Sequence, residues 1–361
     1  MDSHLEQART FFLEGVAHYE AGRLPQAEQK FAAALSLVPD RPSVLTNLGA
    51  VRLKLGRPGE AVELLQDALA QEPDNLEALA HCGTALAELG QPAKALACYE
   101  RALAIQPDAP GVWTLRGTAL RELGRREEAA ASYREALARG GDQELLTYYL
   151  AGLEAGEAPP QPPPAYVQAL FDNYADGFDQ HLVQGLRYDA PGVLTQRWAG
   201  RRFGHALDLG CGTGLCGPLL RPLAERITGV DLSANMLHKA RRLGVYQELV
   251  QADVAEFLAG SGDTYDAVLA ADVFIYVGAL DGVFASLGQR IAPGGVFAFT
   301  VEDSGGADLV LRPSLRYAHS EALVRRLAQE HGFRIEALEK RPVREEERVP
   351  IPGLFVWMER T

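Results

Sequence analysis

The stretch LDLGCGTGLCGP, Leu207 to Pro218, decides how the second half of the chain is read. An apolar run enters a glycine-rich turn, and Pro218 follows where a helix can begin. Two patterns overlap in it. Gly212, Gly214 and Gly217 spell G-x-G-x-x-G, while Asp208, Gly210, Gly212 and Gly214 spell D-x-G-x-G-x-G. Either set of glycines lets backbone approach a ligand closely. They differ in the ligand charge they tolerate. The first pattern places a pyrophosphate at a helix N-terminus. A carboxylate at Asp208 repels an anion there and favours a cation.

Working outward, HALDLG, RITGVD, QELVQAD, YDAVLAAD and GGVFAFTVE read as five apolar strands separated by helical patterns, the last four ending in Asp231, Asp253, Asp272 and Glu302. That alternation predicts a parallel, doubly wound sheet with ligands at the carboxyl ends of its strands. FRIEALEKR and GLFVWMER add a final antiparallel hairpin. Asp231 lies 21 residues past Gly210, where a carboxylate accepts ribose hydroxyls in either ligand class. Asp253, after the third strand, suits an adenine amino donor. S-adenosylmethionine carries an ammonium and a sulfonium and no phosphate, so Asp208 favours it over a dinucleotide.

The series Asp208, Asp231, Asp253 resembles class I S-adenosylmethionine-dependent methyltransferases over roughly residues 165–361. The resemblance implies an α/β Rossmann-like domain with a mostly parallel seven-stranded sheet and a C-terminal antiparallel hairpin. It also implies S-adenosylmethionine as cofactor, held by Tyr174, Asp208, Gly210, Cys211, Gly212, Gly214, Asp231, Leu232, Met236, Asp253, Val254 and Ala270. ADVFIYVGALD, PGGVFAFTVE and RYAHSEALVRRLAQEHGF further resemble predicted methyltransferases that carry N-terminal tetratricopeptide repeats. The G-x-G-x-x-G reading is then incidental, with Gly217 falling in the first turn of the next helix.

Methyl transfer needs a placed nucleophile, exclusion of water and, for some acceptors, removal of a proton. ADVFIY stands where a D/N-P-P-Y signature would be. Asp272 is expected to orient an amine or hydroxyl, and Tyr276 to pack on the acceptor or donate to it. His319 is the best general base by intrinsic pKa. Arg316, Tyr317 and Phe178 are candidates on the acceptor side. Glu302 reads equally as a strand-end ion-pair partner. No cluster with metal-ligand spacing is evident, so no metal is expected. The aromatic amphipathic segment Tyr166 to Leu182 reads as a helix, with Tyr174 or Phe178 as part of a lid over the cofactor.

The first part of the chain is periodic. Gly15, Gly49, Gly83 and Gly117 stand 34 residues apart, as do Ala27, Ala61, Ala95 and Ala129, and Gly22, Gly56, Gly90 and Gly124. Pro39, Pro73 and Pro107 keep the same step. This resembles the tetratricopeptide repeat over roughly residues 8–141. It implies four helix pairs, and DQELLTYYLAGLEAGE reads as a capping helix. The expected division is repeats over 1–157, a proline-rich spacer over 158–164 and a methyltransferase domain over 165–361. In the family's geometry the first helix of each pair lines a groove. The candidates here are Arg9, Phe12, Val16, Tyr19, Thr46, Ala50, Lys54, Thr84, Glu88, Thr118 and Arg121. The expected partner of that groove is a protein or peptide.

Net charge is −13, with 15 Lys and Arg against 23 Asp and Glu up to Ala158, and 20 against 25 after it. Neither half has the basic excess that a nucleic-acid backbone demands. No apolar run reaches the roughly 18 residues of a membrane span, and the N-terminus lacks a secretion pattern, so a cytoplasmic protein is expected. Cys82, Cys98, Cys211 and Cys216 show no C-x-x-C spacing. Three functions fit these features: methylation of a protein docked by the repeats, methylation of a small molecule with the repeats used for assembly, and a non-catalytic scaffold that binds the cofactor.

Overall fold

The structure is a computed structural model that describes residues 2–154, 156–174, 182, 185–260, 262–346 and 348–361. The side chains of residues 2, 3 and 172–174 are outside that description. So are the expected lid residue Phe178 and the side chain of Tyr174. The chain divides into two compact units, Met1–Glu154 and Ala155–Thr361.

The first unit is helical. Four antiparallel pairs follow one another: α1 (Asp2–Glu20) with α2 (Leu24–Leu37), α3 (Pro42–Lys54) with α4 (Pro58–Gln71), α5 (Leu76–Glu88) with α6 (Pro92–Ile105), and α7 (Pro110–Glu122) with α8 (Arg126–Ala138). A ninth helix, α9 (Gln143–Leu153), packs on α8 and is capped by Asp142, which accepts from the Leu145 amide at 3.0 Å. The period has a steric cause. A Cβ on Gly15 would lie 2.7 Å from the Phe31 ring, and one on Gly49 would lie 2.7 Å from Leu65 Cγ. Gly83 and Gly117 stand in the same way against Tyr99 and Tyr133. Each glycine thus admits a large residue sixteen positions on, where the second helix returns. Ala27, Ala61, Ala95 and Ala129 are wholly buried in those second helices. Gly22, Gly56, Gly90 and Gly124 end the first helices with φ between 71° and 73° or, for Gly90, 69°, the left-handed stop that glycine adopts without penalty.

The second unit is built on a nine-stranded sheet. Its strands are β1 (Phe203–Leu209), β2 (Ala224–Asp231), β3 (Glu248–Gln251), β4 (Tyr265–Ala270), β5 (Ile291–Asp303), β6 (Leu309–Leu311), β7 (Tyr317–His319), β8 (Phe333–Glu346) and β9 (Val349–Arg360). β3, β2, β1, β4 and β5 are parallel neighbours in that order, and β9 runs antiparallel between β5 and β8. These are the seven strands expected. The two further strands, β6 and β7, were not expected; β7 pairs with the end of β5 at Glu302 and Asp303. Successive residues alternate between two cores, as a sheet covered on both faces requires. Leu207, Leu209, Val268, Phe297 and Phe299 face one, and Ala206, Ala267, Leu269, Ala298 and Trp357 face the other.

The proline-rich segment is anchored to this second unit rather than spanning free: Pro160 O accepts from the Ala279 amide at 2.7 Å. Helix α10 (Pro164–Tyr174) begins at the last proline of the run. Among the described residues no helix is long and apolar enough to cross a membrane.

Gly49→Ala forces Leu65, fully buried, to move, and is expected to destabilise the first unit by about 1–3 kcal/mol. Gly111→Ala, with open space around its Cβ, is expected to be neutral or slightly stabilising. Urea unfolding of both variants checks the pair; equal effects would remove the steric explanation of the period.

Candidate cofactor and acceptor site

The carboxyl ends of β1, β2 and β4 meet at the glycine loop. Gly210, Gly212 and Gly214 all have positive φ, at 62°, 54° and 95°. At Gly210 the constraint is double, because a Cβ there would lie 2.6 Å from Val273 Cγ2. The loop after β1 therefore lies directly on the segment after β4. Asp231, at the end of β2, fixes the loop from the other side. Its Oδ2 accepts from the Gly212 amide and its Oδ1 from the Ser233 amide, each at 2.9 Å. Ser233 in turn caps α13 (Ala234–Arg242) by accepting from the Met236 amide at 3.2 Å.

Asp208 is 1% exposed and turned inward. Its Oδ2 accepts from Tyr246 Oη at 2.7 Å, and Cys216 lies beside it. Burial pushes its carboxyl up to about 7, against the hydrogen bonds from Tyr246 and Cys216. This corrects the expectation that Asp208 directly holds the cations of a ligand: it is a buried acid beneath the loop, with almost no surface open to one. The glycines past Gly212 serve the same packing. A Cβ on Gly217 would meet the Tyr246 ring at 2.8 Å, so the third glycine of G-x-G-x-x-G makes room for Tyr246, not for a phosphate.

Asp253 caps the helix α14 (Val254–Gly260), its Oδ1 accepting from the Ala255 and Glu256 amides at 2.8 and 3.1 Å. Its Oδ2 receives no hydrogen bond in the described structure and remains available to a donor. Cys211 is buried in the loop, and burial raises its thiol pKa well above the usual value. Leu232 is half-buried beside Asp231. Met236, Val254 and Ala270 are buried in the core. The side chains of Met236 and Ala270 have no exposed surface, so any contact there with a cofactor would be through the backbone.

On the acceptor side the structure rearranges the expectations more strongly. His319 lies in β7 and is 0% exposed. Its Nε2 lies 2.7 Å from Gly278 O, so the ring donates there, and burial lowers its pKa to about 4. The general-base expectation is corrected: His319 is a neutral residue holding the turn at Gly278. Tyr317 is likewise fully buried, under Gly278, and presents no surface to an acceptor. Arg316 is paired with Glu346. Asp272 has φ 60° and donates its amide to Thr300 Oγ1 at 2.8 Å. Both its carboxylate oxygens accept from Arg344 Nη1, at 2.8 and 2.9 Å. Tyr276, in a 3₁₀ turn (Phe274–Tyr276), meets Phe171 edge-on at 5.0 Å between ring centroids. Arg344 and Tyr246 were missed from sequence; Arg344 sits in a charged run that reads as solvated, and Tyr246 in an apparent loop.

Residues 207–297 match the family profile of a methyltransferase domain, and residues 12–76, 52–119 and 110–139 match tetratricopeptide-repeat profiles. The chain joins tetratricopeptide repeats to a methyltransferase domain. It is similar to trans-aconitate 2-methyltransferase of Paracidovorax citrulli, with 38% identity over 28% of this chain and 39% of that protein. It is also similar to malonyl-[acyl-carrier protein] O-methyltransferase of Enterobacter lignolyticus, with 34% identity over 37% of this chain and 52% of that protein. The chain thus spans from about two fifths to half the length of these relatives. Among solved structures, the N-methyltransferase NodS of Bradyrhizobium japonicum, in complex with S-adenosyl-L-homocysteine, aligns with 54% of this chain and 97% of its own, at 13% identity and a TM-score of 0.43.

The raised Asp208 pKa fixes a pH dependence. The folded protein retains a proton there that the unfolded chain gives up at the ordinary carboxylate value. The stability this contributes is full below about pH 4 and is lost as pH rises through about 7. Asp208→Asn keeps an acceptor for Tyr246 and has no proton to lose. Urea unfolding across this range is expected to show a shallower fall for the variant than for the wild type; parallel curves would mean that Asp208 ionises normally.

Proposed function

We propose that this protein transfers the methyl group of S-adenosylmethionine to a nitrogen or oxygen on a protein or peptide held by its repeats. The single observation behind the cofactor assignment is the Asp231-braced glycine loop, where three left-handed glycines and a carboxylate leave a close backbone approach at the strand ends. The residues fit the cofactor in charge as well. Asp208 lies buried beneath the loop, bonded to Tyr246, and adds no phosphate-binding cation to it. Asp231 stands at the end of β2, where a carboxylate would meet ribose hydroxyls, and Asp253 Oδ2 offers an acceptor for an adenine amino group.

When bound at the glycine loop braced by Asp231, S-adenosylmethionine would supply an electrophilic methyl group for the acceptor's lone pair, leaving S-adenosylhomocysteine, with the acceptor's proton released to bulk solvent as the products leave. The chain's part is placement. The 3₁₀ turn with Tyr276 and Phe171 forms an aromatic wall next to Asp272, which excludes water and limits the acceptor's approach.

The repeats supply a surface larger than a metabolite needs, and repeats of this kind bind extended partners. Among the groove candidates, Thr46 and Ala50 are buried and leave the groove. Arg121 hydrogen-bonds Tyr133 in the array's interior. Lys54 is exposed, with its ammonium 4.4 Å from the centre of the Tyr19 ring. A second reading, a small-molecule acceptor with repeats used for assembly, is favoured by relatives named for trans-aconitate and ubiquinone biosynthesis.

Calorimetry on the full chain is expected to show binding of S-adenosylmethionine and S-adenosylhomocysteine and none of NAD. Asp231→Ala is expected to weaken binding by about 1.5–3 kcal/mol for each charge-assisted bond lost. Binding of NAD alone would overturn the cofactor assignment. For the acceptor, Tyr19→Ala with Lys54→Ala is expected to raise KM for a docked protein at unchanged cofactor affinity. Equal KM for wild type and double variant on every acceptor found would favour the small-molecule reading.

A further inference from the structure

The Arg344 guanidinium, 1% exposed, touches three carboxylates. Nη1 reaches both oxygens of Asp272, Nη2 pairs with Glu302, and Nε lies 2.9 Å from Glu346 Oε1. Glu302 is also paired with Arg312 Nε at 3.2 Å, and Glu346 with Arg316. Three arginines therefore face three acids, and each arginine is paired with at least one of them. Arg344, Glu302 and Asp272 form the buried part of this network, while Arg312, Arg316 and Glu346 are partly exposed; the buried part is stable only while each member keeps its partner. Its one edge toward the strand ends is Asp272, whose side chain is 11% exposed. Asp272 follows β4 and precedes Val273, the residue that the glycine loop touches.

We infer that Arg344 is the positioning residue of the acceptor side, and that the balanced network it organises admits an acceptor that donates a hydrogen bond to Asp272, an amine or a hydroxyl, and turns away a carboxylate. This deepens the proposed methyl transfer and rests on it. The carboxylate oxygens of Asp272 each keep lone pairs beyond those facing Arg344, so they accept from N–H or O–H. An incoming carboxylate meets Asp272 as a like charge. Its natural anchors in this network, Arg316, Arg312 and Arg344, are already bound to Glu346, Glu302 and Asp272. Displacing Glu302 or Asp272 strands a carboxylate in a largely buried place. The aromatic wall of Tyr276 and Phe171 beside Asp272 adds a surface on which an amine or a ring-borne hydroxyl rests. Specificity here arises from repulsion as much as from attraction. The relative named for trans-aconitate has a polycarboxylic acid in its name, the acceptor class this site is built to refuse.

The test uses the full chain with methyl-tritiated S-adenosylmethionine and an extract of cells lacking the protein. Methyl esters release labelled methanol in mild alkali; methylamines and methyl ethers do not. Label in alkali-stable products supports the inference. Label released as methanol overturns the acceptor class while leaving methyl transfer standing. No label in any product overturns both, and cofactor calorimetry then shows whether the loop binds at all. Two variants separate positioning from folding. Asp272→Asn leaves Arg344 with two carboxylates and is expected to lower kcat/KM for the labelled acceptor at least tenfold, with cofactor affinity within twofold. Arg344→Lys keeps the charge but loses the fork and is expected to raise acceptor KM more than it lowers kcat. Undiminished transfer by Asp272→Asn would overturn the role of Asp272 and Arg344 together.

Discussion

A single buried cation, Arg344, ties the C-terminal hairpin to the working end of the sheet. It comes from β8, the strand at the sheet's far edge, and grips the second residue after β4 and the penultimate residue of β5. A buried ion pair is weak evidence of stability, since desolvation offsets much of the attraction. It is strong in specifying position, because each partner is costly to leave alone. Asp272 sits in a left-handed conformation that aspartate tolerates better than most residues. Its amide bond to Thr300 and its double contact with Arg344 hold it there. The glycine loop, resting on Val273 next door, inherits that position.

Much of the architecture was readable because its causes are local or periodic. The 34-residue step is a steric rule repeated four times, one glycine admitting one large residue, and it survives in a single sequence. The parallel strands were legible because both faces are covered, so their apolar runs are nearly continuous. The acids at strand ends were legible for the same reason: they stop those runs.

What escaped the sequence depends on contacts far apart in the chain or on breaks in a pleat. Arg344 lies in RPVREEER, a charged run that reads as a solvated edge. A register shift between Pro342 and Arg344 breaks the alternation, so Val343 and Arg344 are both buried. His319 has an intrinsic pKa near neutrality, but β7 carries it into the interior, and burial lowers that pKa. Tyr246 reads as loop and becomes the lid on Asp208 only because Gly217 and Gly229 leave room for its ring. In each case the residue type was visible and its environment was not.

The likeness to known methyltransferases is unevenly placed, and this governs what can be carried across. The methyltransferase profile ends at residue 297. It takes in the glycine loop, Asp231, Asp253 and Asp272. Glu302, Arg312, Arg316, Arg344 and Glu346 lie beyond it, and they are the ionic groups gathered around Asp272. A fold hosts many reactions through the residues grafted on it. The matched span therefore speaks for the cofactor, whose demands on backbone and charge are the same whatever is methylated. The acceptor's nature must be read from the unmatched side chains, where five ionic groups and Asp272 balance one another and leave a hydrogen-bond acceptor, not a cation, at the edge.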